Sequence, residues 1–198
     1  MLITQISELD KKRVKIQTDE NISFVLYKGE VRRLGLGERE ELSEEVYEEI
    51  RSEILIKRAR KRTMFLLEKM DRTESQLRDK LRQGFYSEDI IEDAISYVKG
   101  YHYIDDTRYA QGYVRYQKEK KSRRQIQMDL MKKGVDKEII AQAIDTEYEA
   151  ETETELIQKW IEKKHYSIEN SNIKEKQKMY QFLMRKGFHS EDILHILQ

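Results

Sequence analysis

What most constrains this chain is a repeat. Three stretches match one another: QLRDKLRQGFYSEDIIEDAI at 76–95, QIQMDLMKKGVDKEIIAQAI at 125–144 and KMYQFLMRKGFHSEDILHIL at 178–197. Each reads as a helix with Leu near its end, a glycine at the left-handed C′ position, a fresh cap and a second apolar stripe. Gly84, Gly134 and Gly187 recur at intervals of 50 and 53 residues. A further helix precedes each pair, over roughly 57–70, 107–121 and 155–165 by apolar spacing. The spacing predicts a mainly α chain of three tandem three-helix, helix-turn-helix-like repeats. One such unit cannot hide its apolar face alone, so neighbours should stack into an elongated, curved array.

Residues 1–42 follow a different rule. Val14-Lys-Ile16-Gln and Ile22-Ser-Phe24-Val-Leu26 alternate with period two, as half-buried strands do, and Leu2 to Ile6 offers a third strand. Thr18-Asp-Glu-Asn21 is turn chemistry. Gly29, Gly35 and Gly37 then predict a short, loop-rich connector. Such a small antiparallel sheet is marginal alone and should pack on the helices that follow. Ser43, with Glu44 and Glu45 behind it, caps a helix that runs to about Met70 with a break near Glu53. The expected division is 1–42 for the β element and connector and 43–106 for the first repeat with its leading helix. The second repeat is then 107–150 and the third 151–198.

The middle repeat carries the distinctive charge. Asp105, Asp106 and Thr107 offer N-cap oxygens to one helix, and Ser122 with Gln125 forms a capping box for the next. At 100° per residue, Arg108, Arg115, Lys118 and Ser122 share one side of the first helix. Lys120, Lys121, Arg123, Arg124, Lys132 and Lys133 extend that positive surface. From Thr107 to Ile144 there are ten Lys/Arg against four Asp/Glu, inside a chain whose net charge is zero. Charge concentrated within a neutral chain points to a localised anionic partner, with a solvated face as the plain alternative. Lys57, Arg58, Arg60, Lys61 and Arg62 form a second basic cluster. The acidic run at 147–155 is either a linker between the second and third repeats or the end of a long helix.

Composition excludes several chemistries. There is no cysteine, so no disulfide and no thiolate site, and no proline to interrupt the helices. Charged residues make up 38%, well above the roughly 25% usual for globular chains. His102, His165, His189 and His195 show no metal-ligand spacing, and no glycine-rich phosphate loop is present. No catalytic constellation emerges, so the expectation is a non-enzyme without metal or cofactor. No apolar run approaches the ~20 residues of a membrane span, and the N-terminus lacks the order of a signal peptide. The chain therefore reads as cytoplasmic.

Six tyrosines, Tyr97, Tyr101, Tyr103, Tyr109, Tyr113 and Tyr116, cluster beside the basic stripe. Stacking on unpaired bases is one role for such rings. Core packing is the favoured one, because Tyr109 and Tyr113 lie on the apolar arc; Tyr116, at its edge, should be the exposed member. Trp160 sits among Leu156, Ile157 and Ile161 and is expected in the core.

The runs YIDDTRYA at 103–110, YVR at 113–115, SRRQI at 122–126 and DLMKKGV at 129–135 resemble the RecX family of recombination regulators. Arg72-Thr-Glu-Ser-Gln-Leu-Arg-Asp-Lys-Leu81, Gly84-Phe85, the N-terminal strands and ELSEE at 41–45 extend the resemblance over the whole chain. One departure stands out: the first repeat reads LRQG, one residue shorter before its glycine than LMKKG and LMRKG.

The resemblance implies a monomeric, non-enzymatic modulator of RecA. Such proteins lie in the groove of the RecA filament on single-stranded or duplex DNA. There they suppress ATP hydrolysis, strand exchange and co-protease activity, and so modulate recombination, DNA repair and the SOS response. An arched stack with a basic inner face suits that groove, with Arg108, Arg115 and the 118–124 cluster as the charges carried over. The alternative is a stand-alone helical-repeat module that binds DNA or RNA without RecA.

Overall fold

The computed structural model describes residues 1–148 and 151–197. The chain divides into two compact units between Ile104 and Asp105. It is mainly helical, with one small antiparallel sheet at its N-terminus.

In the first unit, β1 (Ile3–Glu8), β2 (Arg13–Thr18) and β3 (Ser23–Tyr27) pair in the order β1-β2-β3. The register sets Ile6 opposite Ile16 and Ile16 opposite Phe24, which gathers apolar side chains on one face. Asp10 shapes the first turn by accepting from the backbone N–H groups of Lys12 and Arg13, both at 2.8 Å. Asn21, at φ 60°, makes the second turn in the stretch expected to turn.

The connector is not all loop. α1 (Lys28–Leu34) starts directly after β3, where a loop was expected. Glu30 accepts from the Tyr27 N–H at 2.8 Å, Val31 and Leu34 pack on the core, and Gly35 ends the helix at φ 64°.

The interruption expected near Glu53 takes the form of a π-helical stretch, not of a gap in the helix. α2 (Glu44–Glu49), capped by Ser43 accepting from Val46 N, passes through a π-helical stretch (Ile50–Ile56) into α3 (Lys57–Lys69). Ile50 and Leu55 are both buried although five residues separate them. An ordinary helical turn would point them apart; the wider i→i+5 turn returns both to the core. After it the normal spacing resumes with Ala59, Thr63 and Leu66.

α4 (Glu74–Arg82) and α5 (Glu88–Gly100) complete the first three-helix repeat. Sheet and repeat share one core, in which Ile16 and Leu26 meet Ile50, Leu77, Leu81, Ile91 and Ile95. Each fully buried Leu or Ile contributes about 1.5–3 kcal/mol, and the small sheet gains a partner layer it could not do without.

The second unit holds two repeats. The first comprises α6 (Asp106–Gln117), α7 (Arg123–Lys132) and α8 (Lys137–Glu147); the second comprises α9 (Glu151–Lys163), α10 (Ile173–Arg185) and α11 (Ser190–Leu197). α6 ends at Gln117, short of the expected 121, because the N–H groups of Lys120 and Lys121 both donate to Gln117 O at 2.9 Å. Residues 118–121 thus form a turn. The expected repeat boundary at 150 lies outside the described residues. Each repeat has its own core, one around Val114, Ile126 and Leu130, the other around Ile157, Leu183 and Phe188. Trp160 packs at the edge of the latter, edge-on to Phe182.

All three repeats close the turn between their second and third helices in the same way. Val135 N donates to Leu130 O at 3.1 Å and Gly134 N to Met131 O at 2.9 Å. Phe188 with Gly187, and Tyr86 with Phe85, repeat these bonds to Leu183 and Met184, and to Leu81 and Arg82. The left-handed residue is Gly134 (φ 76°) and Gly187 (φ 86°), but in the first repeat it is Phe85 (φ 63°), not the expected Gly84. The one-residue shortening noted in LRQG shifts the register, so an aromatic residue takes the conformation glycine holds elsewhere. For a residue with a Cβ, that conformation costs roughly 1–2 kcal/mol.

Candidate partner-binding face

The basic residues of the second repeat sort into two groups. On one side, the Arg115 guanidinium makes a bidentate pair with Glu147, both bonds at 2.9 Å. That hydrogen bonding holds the Glu147 carboxyl below the usual carboxylate range, with Lys118 adding to the effect. Arg123 reaches Asp145 at 3.3 Å, and its guanidinium lies 5.9 Å from the centre of the Tyr148 ring. Arg108 sits in the first turn of α6, with its N–H donating to the Asp105 cap at 2.9 Å. Lys133 bridges the two groups: it lies over the Tyr113 ring, which Lys121 of the second group also approaches.

On the other side, a cleft of about 580 Å³ gathers Lys120, Lys121, Arg124 and Lys132 with Arg185 and Lys186 from the third repeat. Its carboxylate, Asp129, is already engaged: it accepts from Lys121 Nζ at 2.7 Å and from the Tyr113 hydroxyl at 3.0 Å. Partial burial raises the Asp129 pKa, yet these two donors outweigh it and hold the carboxyl below its ordinary value. Lys120 rests its ammonium 3.9 Å from the Tyr116 ring centre, and Lys186 lies 4.3 Å from that of Trp160. Among the described residues, Arg124, Lys132 and Arg185 have no ion-pair partner within the chain. Met128 and Met184, 48% and 36% exposed, add soft apolar surface to the rim.

The joint between the two repeats positions this cleft. Ser122, fully buried, accepts from Gln125 N at 3.3 Å as the cap of α7 and donates to Lys186 O at 2.8 Å. Glu153, nearly buried, accepts from Arg123 N at 2.7 Å and from the Tyr148 hydroxyl at 3.4 Å. Burial first, then the facing Glu153 carboxylate, pushes the Tyr148 hydroxyl pKa far up, so it stays a donor. Glu147 and Glu153, both from the acidic run, therefore serve internal contacts. Gly187 comes so close to Ser122 that a Cβ there would lie 2.7 Å from its oxygen.

The second basic cluster is largely engaged internally. Lys57 pairs with Glu53, Arg58 with Glu30 and the Val25 carbonyl, and Arg60 bidentately with Asp93 at 2.6 and 2.8 Å. Lys61 and Arg62 stay exposed. Of the tyrosines, Tyr97, Tyr109 and Tyr113 pack against the cores, and Tyr116 is 68% exposed. Tyr101 and Tyr103 depart from the core-packing expectation. They sit in the turn after α5, exposed, with rings stacked 5.7 Å apart.

Arg185 and Lys186 were missed by the sequence reading. Their signal was the alignment itself: Lys186 precedes Gly187 as Lys133 precedes Gly134. Among the described residues, no group of three or more histidine or acidic side chains is placed to hold a metal ion. Nor is any helix among them long and apolar enough to cross a membrane.

The comparisons with known proteins agree with this architecture. Family models for the first, second and third three-helix domains of RecX match residues 59–97, 105–144 and 151–197. A regulatory protein RecX of Caldanaerobacter subterraneus subsp. tengcongensis is 35% identical, covering 98% of this chain and 96% of its own. One from Clostridium botulinum (strain Eklund 17B / Type B) is 29% identical, covering 93% of this chain and 88% of its own. A crystal structure of regulatory protein RecX superposes with a TM-score of 0.62 at 26% identity, over 96% of both chains. That of RecX from Lactobacillus salivarius gives 0.61 at 28% identity, over 73% of this chain and 95% of its own. Three successive helical repeats with matching turns, each recognised by its own model and aligned end to end with regulatory relatives, place the chain in the RecX family.

Proposed function

We propose that this protein regulates RecA by binding the RecA–DNA filament, and that it restrains ATP hydrolysis, strand exchange and co-protease activity there. Acting in this way it modulates recombination and the SOS response as a non-enzymatic, monomeric cytoplasmic factor. Membership of the RecX family supports the partner. The observation that carries the site is the cleft between the second and third repeats, where six cations face a single, already engaged carboxylate beside two exposed methionines. Cations suit phosphates or acidic side chains, and methionines suit an adaptable protein surface. A filament of protein wound on DNA offers both.

The test is RecA ATPase on single-stranded DNA, followed with added protein and with a variant carrying Arg124→Glu, Lys132→Glu and Arg185→Glu. The native chain should lower the rate and the variant should not. An unchanged rate at saturating native protein would overturn the reading. Equal binding to bare DNA and to filament would instead favour a free-standing nucleic-acid module.

A further inference from the structure

The first unit has a second cationic cleft, of about 620 Å³, walled by the sheet, α3 and the turn between α4 and α5. It differs in kind from the one between the later repeats. No carboxylate is among its lining residues. Lys61, Arg62 and Lys80 line it, and among the described residues none of the three has an ion pair within the chain. Of the five aromatic residues in its walls, Tyr27, Phe65 and Phe85 are 43%, 43% and 46% exposed. Cations already lie against two of these rings: Arg58 is 4.8 Å from the centre of Tyr27, and Lys69 and Arg62 are 4.3 and 5.8 Å from that of Phe65, which leaves Phe85 as the ring without one among the described residues.

Phe85 is the telling member. It holds the left-handed backbone conformation that glycine takes at the same turn of the other two repeats. Its ring is not hidden in return for that strain. A strained, half-exposed ring is poor economy for packing and sensible for contact with something outside the chain. Gly84 before it is held small by the Tyr86 ring, which a Cβ would approach to 2.9 Å. The tripeptide Gly84-Phe85-Tyr86 thus gives the cleft two rings, Phe85 exposed and Tyr86 half-buried.

We propose that this cleft binds an unpaired polynucleotide strand, with bases stacked on Phe85 and Phe65 and phosphates against Lys61, Arg62 and Lys80. Rings interleaved with unpaired cations are what a single strand requires, because every base offers a π-face and every linkage a negative charge. A duplex hides its base faces and would meet only the cations. This site lies in a different unit from the filament-binding cleft and does not depend on it.

The test uses the full chain without RecA and a short fluorescein-labelled oligothymidylate. Phe85→Gly, which removes the ring and suits the backbone, should weaken binding about 5-fold or more, given the usual contribution of one stacked base. Lys61→Glu with Arg62→Glu should weaken binding and flatten its salt dependence, by about 0.7 in log–log slope for each phosphate no longer neutralised. Ultraviolet crosslinking should join the strand to the peptide containing Phe85 or Phe65. Arg124→Glu with Arg185→Glu should leave the Phe85-dependent part of the binding intact, whatever it does to RecA. Unchanged affinity in Phe85→Gly, equal sensitivity of duplex DNA to that substitution, or crosslinks confined to residues beyond 104 would overturn the proposal. So would displacement of the strand by polyglutamate at equal charge, which would mark the cleft as a seat for an acidic protein segment.

Discussion

The hydroxyl of Ser122 donates to the carbonyl oxygen of Lys186 across 2.8 Å, joining the second and third repeats through two residues 64 apart in sequence. The same oxygen accepts from Gln125 N, so one buried atom both caps α7 and ties down the end of α10. Ser122→Ala should destabilise the second unit by about 1–2 kcal/mol, the usual value of a cap, and leave the Lys186 carbonyl short of a partner. Urea unfolding of the full chain, followed by circular dichroism, measures it; a loss under a few tenths of a kcal/mol would mean that water replaces both bonds.

Gly187 should be far less replaceable than Gly35. Both have positive φ, 86° and 64°, so alanine costs roughly 1–2 kcal/mol of backbone strain at either. At Gly35 the space is open, whereas at Gly187 the new Cβ would press on the Ser122 oxygen at 2.7 Å. Overpacking of this kind adds about 1–3 kcal/mol. Thermal unfolding of Gly187→Ala beside Gly35→Ala should show the larger drop in the former.

Asp129 gives the second unit an acid-sensitive contact. Burial raises its pKa, but Lys121 and the Tyr113 hydroxyl more than reverse that, so the folded value is lower than the unfolded one. The stabilisation is then complete above the ordinary aspartate value of about 3.9 and is lost as pH falls through the folded value. Melting temperatures of native protein and Asp129→Asn should differ by a constant amount from pH 7 down to about pH 4. They should converge in stronger acid. A difference that instead grows below pH 4 would contradict the assignment.

The two groups of cations in the second repeat should behave differently towards RecA. Arg115 is committed to Glu147 on an exposed face, so Arg115→Ala should cost at most about 1 kcal/mol of stability and little binding. Arg124→Glu and Lys132→Glu reverse charges that make no ion pair among the described residues, and should weaken filament binding and reduce its salt dependence. Fluorescence titration of RecA filaments at two salt concentrations separates the cases. Equal losses from Arg115→Ala and Arg124→Glu would remove the cleft from consideration.

Much of this architecture is legible in the letters. The apolar stripes, the Leu-to-glycine spacing and the caps at Ser43, Asp105 and Ser122 are local signals, and local bonds satisfy them. The strands were equally plain, because Val14, Ile16 and Thr18 alternate inward. Harder to read was whatever depended on counting or on distance. Phe85 at the left-handed position follows from counting four residues on from Leu81 instead of looking for the nearest glycine. The π turn was present only as the five-residue step from Ile50 to Leu55. The pairing of Arg115 with Glu147, and the arrival of Arg185 and Lys186 beside Arg124, cross 32 or more residues. Periodicity says which side of a helix a cation occupies, but not whether a carboxylate from elsewhere will meet it.

The three repeats, for all their shared bonding, are not interchangeable parts. Grafting Lys-Gly-Val from the second repeat onto positions 84–86 would relax the turn and erase the ring in one stroke. Recombining such modules by homology alone would therefore yield a chain that folds more comfortably and has lost a distinguishing mark, so selection for robustness and selection for recognition pull in opposite directions at that corner.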